Sequence, residues 1–159
     1  MTKPPVKFKR LSGRQPVIVQ ILPALVSGGV ERGTVEIAQA IQAAGGHAVV
    51  ISSGGPLVRH IERCGAKHIV LPVNVKNPMR WPRLRRQLKL IFQVENADIV
   101  HVRSRVPAWL ALTLAKSMSI ATISTVHSRF TAGSFLKRRY NAKLLDCLLY
   151  TSPSPRDNR

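Results

Sequence analysis

The chain of 159 residues is long enough for one domain with a buried core, and its 45% hydrophobic content is globular rather than disordered. Lysine and arginine number 25 against 7 acidic residues, so the net charge of +18 predicts attraction to nucleic acid or to an anionic membrane surface. No apolar run reaches the roughly 20 residues that span a bilayer, and two cysteines support neither a disulfide framework nor a metal site. We therefore expect a cytoplasmic protein.

Residues 1–15 are basic and contain proline, which predicts a flexible arm. They also imitate the start of a signal peptide, but Gln20 and Pro23 interrupt the apolar run that follows, which is better used as a first strand. Apolar runs then alternate with helical patterns. The predicted strands are 17–22, 47–53, 67–73, 97–104 and 121–128, and the predicted helices are 31–44, 56–65, 80–96, 106–118 and 134–146. This alternation predicts an α/β fold, an open Rossmann-like parallel sheet with helices on both faces.

The last residues, "CLLYTSPSPRDNR", break the helical pattern abruptly. Suitable codons for this stretch reproduce the read-through of a common transposase sequencing adaptor. A natural disordered tail is the alternative. We expect 147–159 to be artefactual, the domain to occupy 16–146, and the gene to continue past Asp146.

A glycine-rich turn, "LVSGGVERG", joins the first predicted strand to the first predicted helix. A dinucleotide site needs G-x-G-x-x-G and a later acidic residue, but Gly28, Gly29 and Gly33 have the wrong spacing and strand 47–53 ends without a carboxylate. A Walker lysine is also missing. Two interpretations stay open: amides that face a phosphate at a helix N-terminus, or a plain tight turn. Glu31 fits both, because a carboxylate in the first turn favours the helix dipole.

Five segments together resemble the N-terminal half of family 4 glycosyltransferases of the GT-B architecture, over about 17–146. They read "LPALVSGGVERGTVEIAQAI", "GGHAVVISSGGPLVRHIERCGAKHIVLPV", "ADIVHVRSRVPAWLAL", "ISTVHSRF" and "KRRYNAKL". Bacterial enzymes that build lipopolysaccharide and related surface glycans look most similar. The resemblance implies two facing Rossmann-like domains, of which this one takes a glycan or lipid-linked acceptor. A C-terminal donor domain, missing here, would grip the nucleotide-sugar.

The resemblance implies that the donor diphosphate lies against Gly28 and Gly29, with Glu31 and Arg32 beside it. The Asp-x-Asp that holds a metal in GT-A enzymes does not occur. We therefore expect no metal and no cofactor apart from the donor substrate, and the family implies retention of anomeric configuration. The fragment alone should be inactive, since it lacks the Glu-x7-Glu pair typical of the family.

His127 ends the last predicted strand, at the sheet edge where open α/β proteins bind ligands. The resemblance implies a catalytic residue that contacts the acceptor or sugar, although Ser128 stands where the family often has glycine. An ordinary hydrogen-bonded histidine is the alternative. The predicted acceptor-binding residues are His101, Arg103, Ser104, Arg105, Ser128 and Arg129, and the arginines among them could equally be solvated cations.

Helix 80–96 is predicted to be amphipathic, with Leu84, Leu88, Ile91 and Phe92 on one face. Its other residues suit an anionic membrane surface, and the predicted membrane-facing set is Arg80, Trp81, Arg83, Arg86 and Lys89. A core face with merely solvated cations is the alternative. We expect peripheral attachment to the inner face of the cytoplasmic membrane.

A free-standing basic α/β module that binds nucleic acid is the competing function. It needs no second domain. Aromatic residues make up only 5% of the chain and are not interleaved with the cations, so few aromatic side chains are available to stack on bases. We expect no nucleic-acid partner.

Overall fold

The computed structural model describes residues 13–126 and 148–151, which form a parallel sheet in the order β3-β2-β1-β4-β5-β6 with helices on both faces. The predicted open Rossmann-like fold is confirmed. The strands are β1 Val17–Ile21, β2 His47–Ser52, β3 Lys67–Val70, β4 Ile99–Val102, β5 Ala121–Val126 and β6 Leu148–Thr151. The helices are α1 Gly29–Ala43, α2 Val58–Arg63, α3 Trp81–Val94 and α4 Arg105–Ser117.

Both faces of the central strands are buried, which explains why the strands read as nearly continuous apolar runs. Ile18, Ala48 and Val50 pack under α1 and α2. The alternate residues, such as Val19 and Val100, pack under α3 and α4. None of the helices among the described residues is long and apolar enough to cross a bilayer.

Element ends differ from the predictions in ways the local geometry explains. Helix α1 starts two residues earlier than predicted, since Gly28 serves as its N-cap. A 3₁₀ turn at Pro78–Arg80 precedes α3, because the Asn77 side chain accepts a hydrogen bond from the Met79 amide at 3.0 Å. Strands β1 to β4 are shorter than predicted, although pairing continues just past the end of β3, where Leu71 N–H donates to the Ser52 carbonyl at 2.8 Å. The fifth predicted helix lies outside the described residues.

Strand β6 was not predicted from the sequence. Its backbone pairs in parallel with β5, with a register irregularity between Ser124 and Thr125. Tyrosine and threonine favour a strand, and the edge of β5 is available for pairing. These residues fall within 147–159, whose origin in an adaptor stays a prediction.

Asp98 fixes the start of the two central strands. Its carboxylate accepts the Val17 amide at 2.7 Å and forms an ion pair with Arg14 at 2.6 Å. The carboxylate thereby joins β1 to the residue just before β4. The last residues of the predicted arm, 13–15, are thus held against the domain at Arg14.

The edge strand β3 is tied to β2 through a histidine. His68 Nε2 lies 2.8 Å from Ser52 Oγ, which also accepts the Gly54 amide at 3.1 Å. The Ser52 hydroxyl can therefore donate a hydrogen bond to Nε2 of a neutral His68. Burial lowers the pKa of His68 below its ordinary value, and the nearby Glu62 opposes this shift.

We expect the Ser52–His68 contact to stabilise the fold above about pH 6.5 and to weaken as the pH falls from there through the lowered pKa of His68. In that window the unfolded chain binds a proton that the folded chain resists, so acid favours unfolding. A double-mutant cycle of Ser52→Ala and His68→Asn, measured by urea unfolding above and below this window, should show a coupling energy that shrinks in acid. A coupling that grows in acid would contradict the assignment.

Candidate functional site

The strand order reverses between β1 and β4, because β2 and β3 lie on one side of β1 while β4 and β5 lie on the other. Open α/β sheets bind ligands beyond the carboxyl ends of their strands at such a switch point. Two helix N-termini flank it here, since α1 follows β1 and α4 follows β4. The N-terminus of a helix favours an anion.

The glycine turn reaches its shape through Gly28. This residue has φ 149° and ψ 174°, a conformation that only glycine adopts without strain. A Cβ atom there would lie 2.6 Å from Glu31 Oε2, so the carboxylate folds back over the turn from the third helical position. Beside it, Gly29 has open space where a Cβ would be, and both glycines are exposed. An anion can therefore approach the glycine turn from the side of Gly29.

A second glycine pair clasps the segment that leads into this turn. The loop after β2 exchanges backbone hydrogen bonds with it: Ser53 N–H to the Pro23 carbonyl at 3.0 Å, Leu25 N–H to the Gly54 carbonyl at 2.8 Å, and Leu57 N–H to the Leu25 carbonyl at 3.0 Å. We call these three bonds the loop clasp. Ser53 Oγ adds a fourth bond to the Pro23 carbonyl at 2.7 Å. The two loops therefore act as one rigid unit.

Gly55 permits this close approach. Its φ is 141°, and a Cβ there would overlap the Leu25 carbonyl. The sequence showed "ISSGG" only as a strand end without a carboxylate. Its role depends on β2 lying beside β1, which the sequence does not reveal; the paired glycines were the available signal.

Arg103 is buried between the sheet and α1. Its exposed fraction is 5%, and its Nη1 donates to Gln20 Oε1 at 3.3 Å and to the Gly33 carbonyl at 3.2 Å. Burial lowers the pKa of this guanidinium, and the carboxylates of Glu31 and Glu36 oppose the shift. A Cβ at Gly33 would lie 3.0 Å from Arg103 Nη2. Arg103 thus braces the helix that carries the glycine turn.

Gln20 is a contributor that sequence reasoning missed. It is fully buried in β1, and its Nε2 donates to the Thr34 carbonyl of α1 at 3.1 Å. A polar residue inside the apolar run "VIVQIL" was the signal that could have found it, because a buried amide requires partners.

His101 lies on β4 in register with Gln20 and is 7% exposed. Its Nε2 lies 2.6 Å from Thr125 Oγ1 on β5. Ser104 is the N-cap of α4, in extended backbone, and Arg105 is the first residue of that helix; both are half-buried. The structure thus brings His101, Ser104 and Arg105 to the carboxyl end of β4, the strand that pairs with β1, which leads into the glycine turn. His127, Ser128 and Arg129 lie outside the described residues.

The predicted membrane-facing residues separate into two groups. Arg80, Arg83, Arg86 and Lys89 are exposed. Of the predicted core positions, Leu84, Leu88 and Phe92 are buried and Ile91 is half-buried against the core. Trp81 instead packs inward: its indole N–H donates to the Val75 carbonyl at 3.0 Å, and its ring centroid lies 6.4 Å from that of Trp109. Among the described residues, no three side chains of metal-binding type form a group that could hold an ion.

Solved structures similar to this chain include several glycosyltransferases and a domain of a Pyrococcus furiosus hydrogenase. A glycosyltransferase from Rickettsia africae ESF-5 is 36% identical with a TM-score of 0.72, over 83% of this chain and 35% of that one. Anabaena HepE in complex with UDP-glucose is 12% identical with a TM-score of 0.66, over 89% and 38%. Sucrose-phosphate synthase from Thermosynechococcus elongatus is 16% identical with a TM-score of 0.65, over 87% and 43%. The chain thus spans less than half of each of these three proteins.

The sheet order and these likenesses define the Rossmann-like fold of GT-B glycosyltransferases. The family model described as Glycosyltransferase Family 4 matches residues 27–157. The chain therefore belongs to glycosyltransferase family 4. None of the curated proteins matches the chain at a significant level.

The loop clasp generates a prediction about stability. Gly55→Ala should lower the free energy of unfolding by at least about 2 kcal/mol, because the new methyl group meets the Leu25 carbonyl and the backbone conformation is strained for any side chain. Urea unfolding followed by circular dichroism measures the loss. Gly29→Ala is the matched control, since its Cβ enters open space, and should leave stability unchanged or raise it by up to about 1 kcal/mol. Equal losses in the two variants would contradict the clasp.

Proposed function

We propose that this chain is the acceptor-side, N-terminal domain of a two-domain glycosyltransferase. The enzyme would move a sugar from a nucleotide-sugar donor to a lipid-linked or lipopolysaccharide-type glycan acceptor. The observation that carries the proposal is the exposed glycine turn at the switch point of a family 4 domain, where Gly29 is open to an anion. The chain's span of 35% of the Rickettsia enzyme supports a second domain.

The donor proposal has two supports. The family transfers sugars, and the Anabaena neighbour of the same fold was solved with UDP-glucose. On this chain the diphosphate would lie at the amides of Gly28 and Gly29, with the exposed Arg32 adding positive charge. Glu31 would keep the turn in shape rather than meet the phosphate, because two anions repel. Amides and cations would carry the charge that develops on the leaving phosphate, without a metal ion.

The acceptor would lie on the β4 side of the switch point. Ser104 and Arg105 at the start of α4 would hold an acceptor phosphate or carboxylate, and His101, whose Nε2 lies 2.6 Å from Thr125 Oγ1, would complete this side of the site. Arg103 would act by keeping α1 in position. His127 is proposed as the catalytic contact to the sugar, aided by Ser128 and Arg129, and retention of configuration belongs to the same proposal.

The gene itself tests the two-domain proposal. Sequencing the source DNA through codon 146 should show a frame that continues into a second Rossmann-like half with a Glu-x7-Glu segment. A frame that encodes "CLLYTSPSPRDNR" and stops would overturn it. A free-standing basic module that binds nucleic acid would then be the better account.

In the enzyme read from that frame, Gly29→Ala should raise the KM for the donor about tenfold or more. The methyl group would keep the phosphate from one charge-assisted hydrogen bond, which contributes about 1.5 kcal/mol or more. Initial-rate kinetics with varied donor, at saturating acceptor, measure the change. Gln39→Ala is the control, since this residue is exposed and lies later on α1, away from the glycine turn. An unchanged donor KM in Gly29→Ala would contradict the placement of the phosphate.

We further propose that the domain lies on the inner face of the cytoplasmic membrane through α3. Arg80, Arg83, Arg86 and Lys89 are exposed on this helix, and residues 70–94 contain no acidic residue. Each cation near an anionic surface contributes about 1 kcal/mol. This attraction would place the active cleft close to an acceptor anchored in lipid.

The chain should therefore co-sediment with vesicles of phosphatidylglycerol and phosphatidylcholine in equal parts, and added salt should release it. Vesicles of phosphatidylcholine alone are the control. Binding that is equal for the two vesicle types would contradict an electrostatic attachment.

A further inference from the structure

An open groove of about 460 Å³ lies between the end of β3 and the start of α3, and neither the glycine turn nor the switch point includes it. Its volume is within the range of small-molecule sites. We call it the β3–α3 groove. The lining residues that matter here are Val70, Val75, Met79, Arg80, Arg83 and Leu84.

The apolar part of this groove is unusually open to water. Val70 is 69% exposed and Met79 is 86% exposed, while Leu84 beneath them is buried in the core. Large apolar side chains left in water favour contact with another apolar surface, at roughly 25 cal/mol for each Å² that is covered. The groove can therefore gain free energy from an apolar occupant.

The rim of the groove is cationic. Arg80 and Arg83 are both exposed, and no acidic residue occurs between positions 70 and 94. The ion pairs formed within residues 13–126 are Arg14 with Asp98 and Lys67 with Glu95, so these two rim guanidiniums are in neither of them. An occupant that carries an anion beside an apolar chain matches both parts of the groove.

We propose that the β3–α3 groove binds one anionic phospholipid, with an acyl chain on Val70, Val75 and Met79 and the phosphate between Arg80 and Arg83. The inference rests on the proposed function only in taking a membrane as the source of the lipid. It goes beyond surface attraction, because a groove makes binding saturable and dependent on the acyl chain. Arg80 and Arg83 then differ in role from Arg86 and Lys89, which do not line the groove.

The first test uses the 159-residue chain and dihexanoyl phosphatidylglycerol below its micelle concentration. Tryptophan fluorescence reports binding, since the Trp81 indole bonds to the Val75 carbonyl in the groove wall. Binding should saturate. Glycerophosphoglycerol, which lacks the chains, and dihexanoyl phosphatidylcholine, which lacks net charge, should each bind at least about tenfold more weakly. If either control binds as tightly as phosphatidylglycerol, the groove proposal fails.

The second test compares variants of equal charge. Arg80→Gln with Arg83→Gln removes two cations from the groove, and Arg86→Gln with Lys89→Gln removes two from the same helix outside it. The groove pair should weaken binding of the soluble lipid about tenfold, and the outer pair less than about twofold. Equal losses would overturn the groove proposal.

Vesicle binding separates a failure of the groove proposal from a failure of the proposed membrane attachment. Long-range attraction predicts that both pairs lower binding to anionic vesicles, because each removes two charges near the surface. Saturable binding of the soluble lipid without vesicle binding would sustain the groove and overturn the membrane attachment. If both pairs of variants weaken vesicle binding equally and no saturable lipid binding is found, the membrane attachment is sustained and the groove proposal is overturned.

An apolar pair of variants completes the test. Met79→Gln alters the groove, while Leu90→Gln alters an exposed apolar residue of α3 outside it. Both positions are exposed, so neither variant should unfold the domain. Only Met79→Gln should weaken binding of the soluble lipid. A loss in Leu90→Gln of the same size would place the lipid elsewhere on the helix and contradict the groove.

Discussion

The close approach of two loops at the carboxyl edge of the sheet is the constraint on which the rest of the site depends. The glycine turn can present its amides only if the segment before it is held, and the loop after β2 holds it through three backbone bonds. Gly55 allows the contact because a side chain there would enter the Leu25 carbonyl. The site is therefore supported by main chain, which fixes geometry more rigidly than long side chains do.

Charge is distributed unevenly around this frame. The buried Arg103 faces Glu31 and Glu36 and braces α1. On α3, Arg83, Arg86 and Lys89 are exposed and meet no acidic residue on their own helix, whereas the half-buried Arg85 donates to Thr113 Oγ1 of α4 at 2.8 Å. Arg103 and Arg85 thus contribute to internal structure, while the excess of basic residues leaves a surface suited to an anionic partner. The net charge alone did not distinguish these two uses.

The order and type of the elements from β1 to β5 followed from apolar runs and helical spacing, because a sheet covered on both faces needs continuous apolar strands. The burial of Leu84, Leu88 and Phe92 followed for the same reason. The loop clasp could not be predicted, since it depends on which strands are neighbours in space. Gln20 was placed within the first predicted strand, but the sequence did not show the buried hydrogen bonds of its amide to Thr34 and Arg103. Trp81 was placed with the cations, but its indole finds a partner in the Val75 carbonyl and packs inward.

Gly33 and Arg103 lie 70 positions apart and behave as a single unit of substitution. A Cβ at position 33 would lie 3.0 Å from Arg103 Nη2, so the guanidinium would have to shift by a few tenths of an ångström. A helix would ordinarily be stabilised by alanine in place of glycine, yet here that shift would disturb the hydrogen bonds of Arg103 to Gln20 and Gly33 and offset part of the gain. Related sequences that carry a larger residue at position 33 should therefore carry a shorter or uncharged one at position 103, and the pair should change together.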